Sequence, residues 1–567
     1  MSQDIGERRA ALLAAYPRWV PRTLGSWLDH CADRHGDRPF IIGLDDTLSY
    51  ERTAEWSARL ADGLVALGVS TGDRVGLLMA NHLEFAPLKF AIARAGAVAV
   101  PFNYLYRKDE LAYVLAQSGC RVLVTMTGHG ELDYLSMLDE AAPGWQHGPT
   151  KELPELVHVV QLPTGGARRA GVPTVAELAE LGARHTMPRD RPASEPGDVA
   201  DILYTSGTTG SPKGVCVTHD AVLRTAFASA LTRGFEDGRR IVFALPCYHM
   251  FGYVEGLLAA MVAGGAVIPQ PRFDPVGYFT AIERYRATDV LCVPTMTVAL
   301  LEHPRRAEFD LSSAFAMLSG AAPAPVWLWE RVRDELGICE ITTGYGMTEC
   351  GGAMTLTLPE DSSARTAETV GKPKFAGPAG LPGSGDLVEY RTADPITGNL
   401  LPHGTEGELV SRGPTAMLGF WRKPDETAAA FHDGWLRSGD LGVVGEDGYL
   451  RLTGRSKELY KSGGELVMPK EIEELLSAYP GISQVYAVGV PDERWGEAGC
   501  VCVVRTPGST VGQREILDLC AAKLARFKVP KRVLFLEPDE LPTTPTGKVQ
   551  KFRLAEIAAR LLEKSEV

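Results

Sequence analysis

Short apolar runs recur along the chain between stretches with helical spacing. From 50 to 125 the runs at 74–79 and 97–100 alternate with helical patterns, a βαβ rhythm. A second α/β block opens with the run at 200–204. It continues through 241–245, a helix-like stretch at 253–263, and the runs at 290–293 and 316–319. Each run stops at Gly, Pro or a polar residue, and such strand ends are where open α/β sheets hold ligands. Between 163 and 199 the periodicity fades among Gly, Pro, Arg and Glu, which predicts a surface connection. From about 371 to 452 short strands such as 407–411 and 448–452 lie between Gly, Pro and Asp turns, predicting a small β subdomain. Beyond 456 the pattern restarts. Pro469 fits a helix first turn, and Ile472, Leu475, Leu476 and Tyr479 follow at helical spacing. Strands at 485–490, 501–504 and 533–536 and a helix at 513–526 complete an α+β module.

A chain of 567 residues exceeds the roughly 250–300 at which one hydrophobic core stops growing, so more than one domain is required. The pattern places a large α/β domain at 1–455, built from two α/β subdomains and the β-rich part, and a small α+β domain at 456–567. Acidic residues outnumber basic ones by 71 to 58, a net charge of −13, and no basic patch stands out. This argues against nucleic acid or an anionic membrane surface as a partner. None of the ten cysteines forms a C-x-x-C pair, and Cys500 and Cys502 alternate with Val501 and Val503 as one face of a buried strand. A reducing, cytoplasmic setting is expected, with neither a secretory signal nor a membrane span.

The densest chemistry lies in Tyr204-Thr-Ser-Gly-Thr-Thr-Gly-Ser-Pro-Lys-Gly214, directly after an apolar run. Glycines let backbone N–H groups approach an anion, hydroxyls add donors, and a lysine adds mobile positive charge, so the segment reads as a phosphate cradle. Lys213 stands between Pro212 and Gly214, which departs from the Walker pattern. Taken alone, the same loop reads equally well as a polar turn between strands.

Four further motifs follow in order: Gly344-Tyr-Gly-Met-Thr-Glu349, Gly434-Trp-Leu-Arg-Ser-Gly-Asp440, Gly454-Arg-Ser-Lys457 and Pro545-Thr-Gly-Lys548. Together with the cradle, this series resembles the adenylate-forming enzymes, which include acyl-CoA synthetases, peptide-synthetase adenylation domains and firefly-type luciferases. The resemblance spans nearly the whole chain and implies ATP, Mg²⁺ and CoA. It implies nucleotide contacts from Thr205, Ser206, Gly207, Thr208, Thr209, Gly210 and Lys213, and from the adenine-lining Gly320, Ala321 and Ala322. Tyr345 would stack on adenine, Asp440 would accept from the ribose hydroxyls, and Arg455 would lie near the nucleotide. Thr348 would contact phosphate and Glu349 would hold Mg²⁺. Lys548 becomes the catalytic lysine, carried into the site by a mobile C-terminal domain that pivots at Lys457. Its neighbour Lys551 reads as a surface charge. Ser462, Gly463 and Gly464 resemble the loop that passes the pantetheine arm, although a plain hairpin turn fits them too. His249 matches the position bordering the carboxylate site and gating the thiol tunnel.

For the acyl pocket the resemblance points to Phe251, Tyr253, Val254 and Glu255, with Met296, Gly344 and Met354. Most favour an apolar tail, so a medium-chain, aryl or similar acid is expected. Glu255 departs from the small or neutral residue usual there. Facing the pocket it would need a substrate amine or hydroxyl, or a neighbouring arginine; facing outward it carries no information. A carrier protein in place of CoA, and a luciferase-like use of oxygen, remain the alternatives, and a homodimer is open to the chain.

Overall fold

The computed structural model describes residues 4–565 apart from 45, 186–193, 206–211, 321–323, 456–457, 459, 463–464, 493–495, 525–527 and 544–547. By its contacts the chain forms two units, residues 1–389 with 411–436, and residues 390–410 with 437–567.

The first unit holds two seven-stranded sheets. In one, strands run in the order Gly419–Phe420, Lys213–Thr218, Val199–Thr205, Val98–Phe102, Arg74–Leu78, Val122–Met126 and His158–Leu162. Its middle is parallel, as the βαβ rhythm predicts, whereas Lys213–Thr218 folds back antiparallel on Val199–Thr205. The other is ordered Glu340–Thr342, Ala316–Ser319, Asp289–Cys292, Arg240–Phe243, Ala266–Pro269, Pro39–Ile42 and Thr47–Ser49, parallel except at its last pair. A three-stranded antiparallel sheet, Gly344–Met347, Gly352–Leu356 and Lys372–Pro373, belongs to the same unit. Fully buried Val, Ile and Leu on the parallel strands explain why those runs are continuously apolar.

Two expectations need correction here. The stretch at 163–199 contains a helix, Val175–Arg184, started by a reciprocal cap. The Thr174 N–H donates to Glu177 Oε2 at 2.7 Å, and the Glu177 N–H donates to Thr174 Oγ1 at 3.2 Å. Val175, Leu178 and Gly182 are buried against helix Tyr50–Ala66. The backbones meet so closely that a Cβ on Gly182 would collide with the Arg59 carbonyl oxygen, and one on Gly63 with that of Leu178. The second correction concerns the helix at 253–263. It begins as a π-helix, Phe251–Leu258, and becomes α-helical only at Ala259–Val262.

In the second unit, strands Glu465–Val467, Tyr460–Ser462, Gly496–Arg505 and Ile482–Asp492 pair in that order, and Arg532–Phe535 joins Gly496–Arg505 in parallel. Helices Pro469–Ser477 and Gln513–Lys523 cover one face through Ile472, Leu476, Ile516 and Cys520, packed with Val501 and Val503. On the opposite face Cys500 and Cys502 pack with Leu554 and Ala558 of helix Lys551–Ser565. The alternation along this strand is the one expected from sequence. Lys551 is no loose surface charge: only 15% of its side chain is exposed, and it pairs with Glu473 at 2.7 Å and Glu458 at 2.9 Å.

Candidate active site

Thr205, Lys213, Gly320 and Gly344 sit where strands begin or end. Thr205 closes Val199–Thr205 and pairs in register with Lys213, which opens the next strand. The cradle residues between them, Ser206, Gly207, Thr208, Thr209 and Gly210, lie outside the described residues, as do Ala321 and Ala322. The Lys213 ammonium lies 5.2 Å from the centre of the Phe420 ring.

Gly320 follows strand Ala316–Ser319. A Cβ there would stand 3.6 Å from Phe251 Cζ and 3.9 Å from Gly344 N, so these three residues, far apart in sequence, share one spot. Gly344 itself is needed by the antiparallel pairing, because a Cβ would strike the Thr355 carbonyl. Half-buried Tyr345 lies on this strand, and Thr348 and half-buried Glu349 follow in a single turn. That turn is fixed by the Met417 N–H, which donates to the Glu349 carbonyl at 2.8 Å.

His249 is exposed in the turn before the π-helix. Its Nδ1 accepts from the Phe251 N–H at 3.3 Å and its carbonyl from the Tyr253 N–H at 3.1 Å. Gly252 is required because a Cβ would run into the Leu245 and Pro246 carbonyls. Sequence reasoning missed the residue that holds this turn. Asn81, 5% exposed at the end of Arg74–Leu78, donates through Nδ2 to the Leu245 carbonyl at 3.0 Å and the Gln270 carbonyl at 3.2 Å. Its Oδ1 accepts from the Cys247 N–H at 2.9 Å. One side chain thereby ties together strand ends from both large sheets. An asparagine directly after an apolar strand was the available signal.

Of the acyl-pocket candidates, Tyr253, Val254 and Met354 are fully buried, Phe251 is half-buried, and Met296 packs on the edge of the core. Beneath Tyr253, Lys89 forms an ion pair with Asp201, neither with any exposed surface, and the Lys89 ammonium lies 4.6 Å from the Tyr253 ring centre. Burial drives the Lys89 pKa well below the usual lysine value and the Tyr253 pKa well above the usual phenol value. Glu255 is turned away from solvent, and both of its carboxylate oxygens have partners. Its Oε1 meets Lys374 Nζ at 2.5 Å, and its Oε2 accepts from the Ser229 hydroxyl. Local sequence gives no sign of Lys374, which lies 119 positions away.

In the second unit Asp440 and Arg455 are direct cross-strand partners on Trp435–Val444 and Leu450–Arg455. Asp440 is buried; its N–H donates to Ser438 Oγ at 3.0 Å, and Ser438 donates on to the Leu409 carbonyl at 2.6 Å. Gly439, at φ 71°, makes the turn a side chain would resist, and its N–H donates to buried Glu408 at 2.9 Å. Glu408, itself paired with Arg437, is a second positioning residue the sequence did not reveal. Ser462 is buried at the end of its strand and Lys548 is exposed beside the Thr543–Val549 bridge. Lys457, Gly463, Gly464 and the Arg455 side chain lie outside the described residues. No helix among the described residues is long and apolar enough to cross a membrane.

Residues 28–421 fit the model of the AMP-binding enzymes, and residues 471–548 fit that of the AMP-binding enzyme C-terminal domain. The putative acyl-CoA synthetase YngI of Bacillus subtilis is 34% identical over 95% of this chain and 97% of its own length. A feruloyl-CoA synthase of Amycolatopsis is 36% identical over 93% of this chain and 97% of that protein. Among solved structures, ATP-bound MatB of Rhodopseudomonas palustris superposes with a TM-score of 0.80 at 29% identity, covering 95% of this chain and 100% of its own. With both family models matched in order, the chain belongs to the AMP-binding enzyme family.

Proposed function

We propose that this protein is an ATP-dependent, AMP-forming carboxylic acid–CoA ligase acting on a medium-chain, aryl or similarly apolar acid. An oxygen of the substrate carboxylate attacks the α-phosphorus of ATP, the bond to the bridging oxygen breaks, and pyrophosphate leaves with that electron pair. A CoA thiolate, its proton given to solvent, then attacks the acyl carbon, and AMP departs. The carrying observation is the meeting of Phe251, Gly320 and strand Gly344–Met347, with Thr348 and Glu349 directly following. Relatives named as acyl-CoA and feruloyl-CoA synthetases support both the thiol and the class of acid.

In this reading Tyr345 and Gly320 hold the adenine, and Asp440 accepts from the ribose hydroxyls beside Arg455. Thr205, Thr348 and Lys213 bind phosphate oxygens, together with the cradle between Thr205 and Lys213. The Glu349 carboxylate and Thr348 hydroxyl are hard oxygen donors that suit Mg²⁺, which neutralises phosphate charge when bound. His249 borders the reacting carboxylate. A small domain at 456–567 turns about Lys457 to bring Lys548 over the nucleotide, and Ser462, Gly463 and Gly464 pass the pantetheine arm. Ten free cysteines suit a reducing cytoplasm. Exchange of labelled pyrophosphate into ATP, over a panel of acids, with thioester measured after adding CoA, tests the proposal. Acid-dependent exchange followed by CoA-dependent thioester is expected. Exchange without any CoA product would move the reading to a carrier-protein acceptor, and no exchange with any acid would end it.

A further inference from the structure

We infer that the acyl pocket ends on the buried Glu255–Lys374 pair and is built for an acid whose far end carries an uncharged oxygen acceptor, such as a ketone, ether or hydroxyl, bound by Lys374 Nζ. This rests on the carboxylic acid–CoA ligase reading.

On this inference the path starts at Phe251, which is half-buried beside Gly320 at the strand ends. Hydrogen bonding from i to i+5 widens the turn of helix Phe251–Leu258, so Glu255 stands about one turn deeper on roughly the same face. It is 1% exposed. The neighbouring wall is Met354, whose carbonyl accepts the Lys374 N–H at 3.0 Å, so Lys374 enters the same depth from the three-stranded sheet. Helix His219–Arg233 supplies Ser229 from a third direction.

Donors and acceptors do not balance at this point. Both Glu255 oxygens have partners, Lys374 and Ser229. A lysine ammonium has three N–H donors, and here one acceptor, Glu255, is in place for a side chain with no exposed surface. Arg233, close enough that its charge acts on Lys374, leaves Nη1 buried without a hydrogen-bond partner. Buried charged donors left unmade are costly, and an incoming oxygen removes that cost.

Charge decides which oxygen. Arg8, Arg233, Arg239 and Lys374 stand among Glu236, Glu255, Asp289 and Glu340, four cations against four carboxylates. A second carboxylate on the substrate would add an uncompensated buried charge, whereas a neutral acceptor satisfies the ammonium and leaves the balance intact.

The test uses the whole protein and pairs of acids of equal length, one with a methylene and one with a ketone at successive positions along the chain. Pyrophosphate exchange gives kcat/KM for each. At the position that reaches Lys374 the keto acid should be favoured about tenfold or more, the worth of a hydrogen bond to a charged group. Lys374→Met should remove the preference. Because that variant strands Glu255, the double variant Glu255→Gln with Lys374→Met is measured as well, and its keto-to-methylene ratio should fall to within about twofold of unity, whatever its absolute rates. Exchange with methylene acids but no keto preference at any position in the wild-type protein overturns the inference and leaves the ligase reading standing. A preference that survives in the double variant overturns it too. Absence of exchange with every acid overturns the ligase reading, and this inference with it.

Discussion

His219 is fully buried at the start of helix His219–Arg233, where its Nδ1 accepts from the Leu24 N–H at 3.3 Å. Burial first, then the nearby Lys89 charge, lowers its pKa to about 4 from the usual 6.5. Between those values the unfolded chain binds a proton that the folded chain refuses, so stability falls as pH drops from about 6.5 to about 4 and levels off below. A gap of this size corresponds to a few kcal/mol, about 3. His219→Gln should therefore flatten the loss of stability between neutral pH and about pH 4.5 in urea unfolding. An unchanged pH slope would mean that another group carries the acid sensitivity. Residue identity alone was a poor guide at such places. Glu255 gained its meaning from Lys374, and the turn at His249 from Asn81, through contacts the linear order does not display.

Helix Val175–Arg184 shows what the pattern hid at the scale of an element. Gly, Pro and Arg around it masked a start signal, Thr174 followed by Glu177, that was present in the sequence. Gly182 lies inside this helix, where the missing side chain lets two helices touch. Gly182→Ala would gain about 1 kcal/mol of helix propensity but would drive a Cβ into the Arg59 backbone. Overpacking of this kind costs about 1–3 kcal/mol and cannot relax easily against a carbonyl, so urea unfolding should show net destabilisation. A more stable variant would show that the helices can separate freely. The last helix, Lys551–Ser565, is anchored electrostatically at its first residue. Burial alone would lower the Lys551 pKa, but Glu473 and Glu458 outweigh it and hold it above the lysine value of 10.5. The stabilisation is then complete below that value and is lost only as pH rises through the higher folded pKa. Lys551→Met strands Glu473, whose own pKa burial raises, and should cost about 3 kcal/mol at pH 7. The gap to wild type should persist to about pH 10, and a gap already closing near pH 8 would contradict the assignment.

For the whole molecule, the proposed chemistry divides between a nucleotide-holding body and a lysine near the far end of the chain. Lys548→Ala should reduce acid-dependent pyrophosphate exchange by about a hundredfold or more, the usual effect of removing one preorganised charge from a transition state. Thioester formation from supplied acyl-adenylate and CoA should fall far less, and equal loss of both steps would remove Lys548 from the first. Much of this was legible in the sequence. Alternating apolar runs fixed the parallel strands, because a strand buried on both faces must be apolar throughout. The Gly-, Thr- and Glu-bearing motifs pointed to a nucleotide site, because few residue types let a backbone approach phosphate or hold a hard cation. Those are local constraints, written in neighbouring residues. Tertiary structure alone decided which distant groups complete one another: Lys374 for Glu255, Asn81 for the His249 turn, Glu473 for Lys551, Gly63 for Gly182. A buried charge or a close backbone contact is defined by whatever fills the space opposite it, and chain folding, not sequence proximity, puts that partner there.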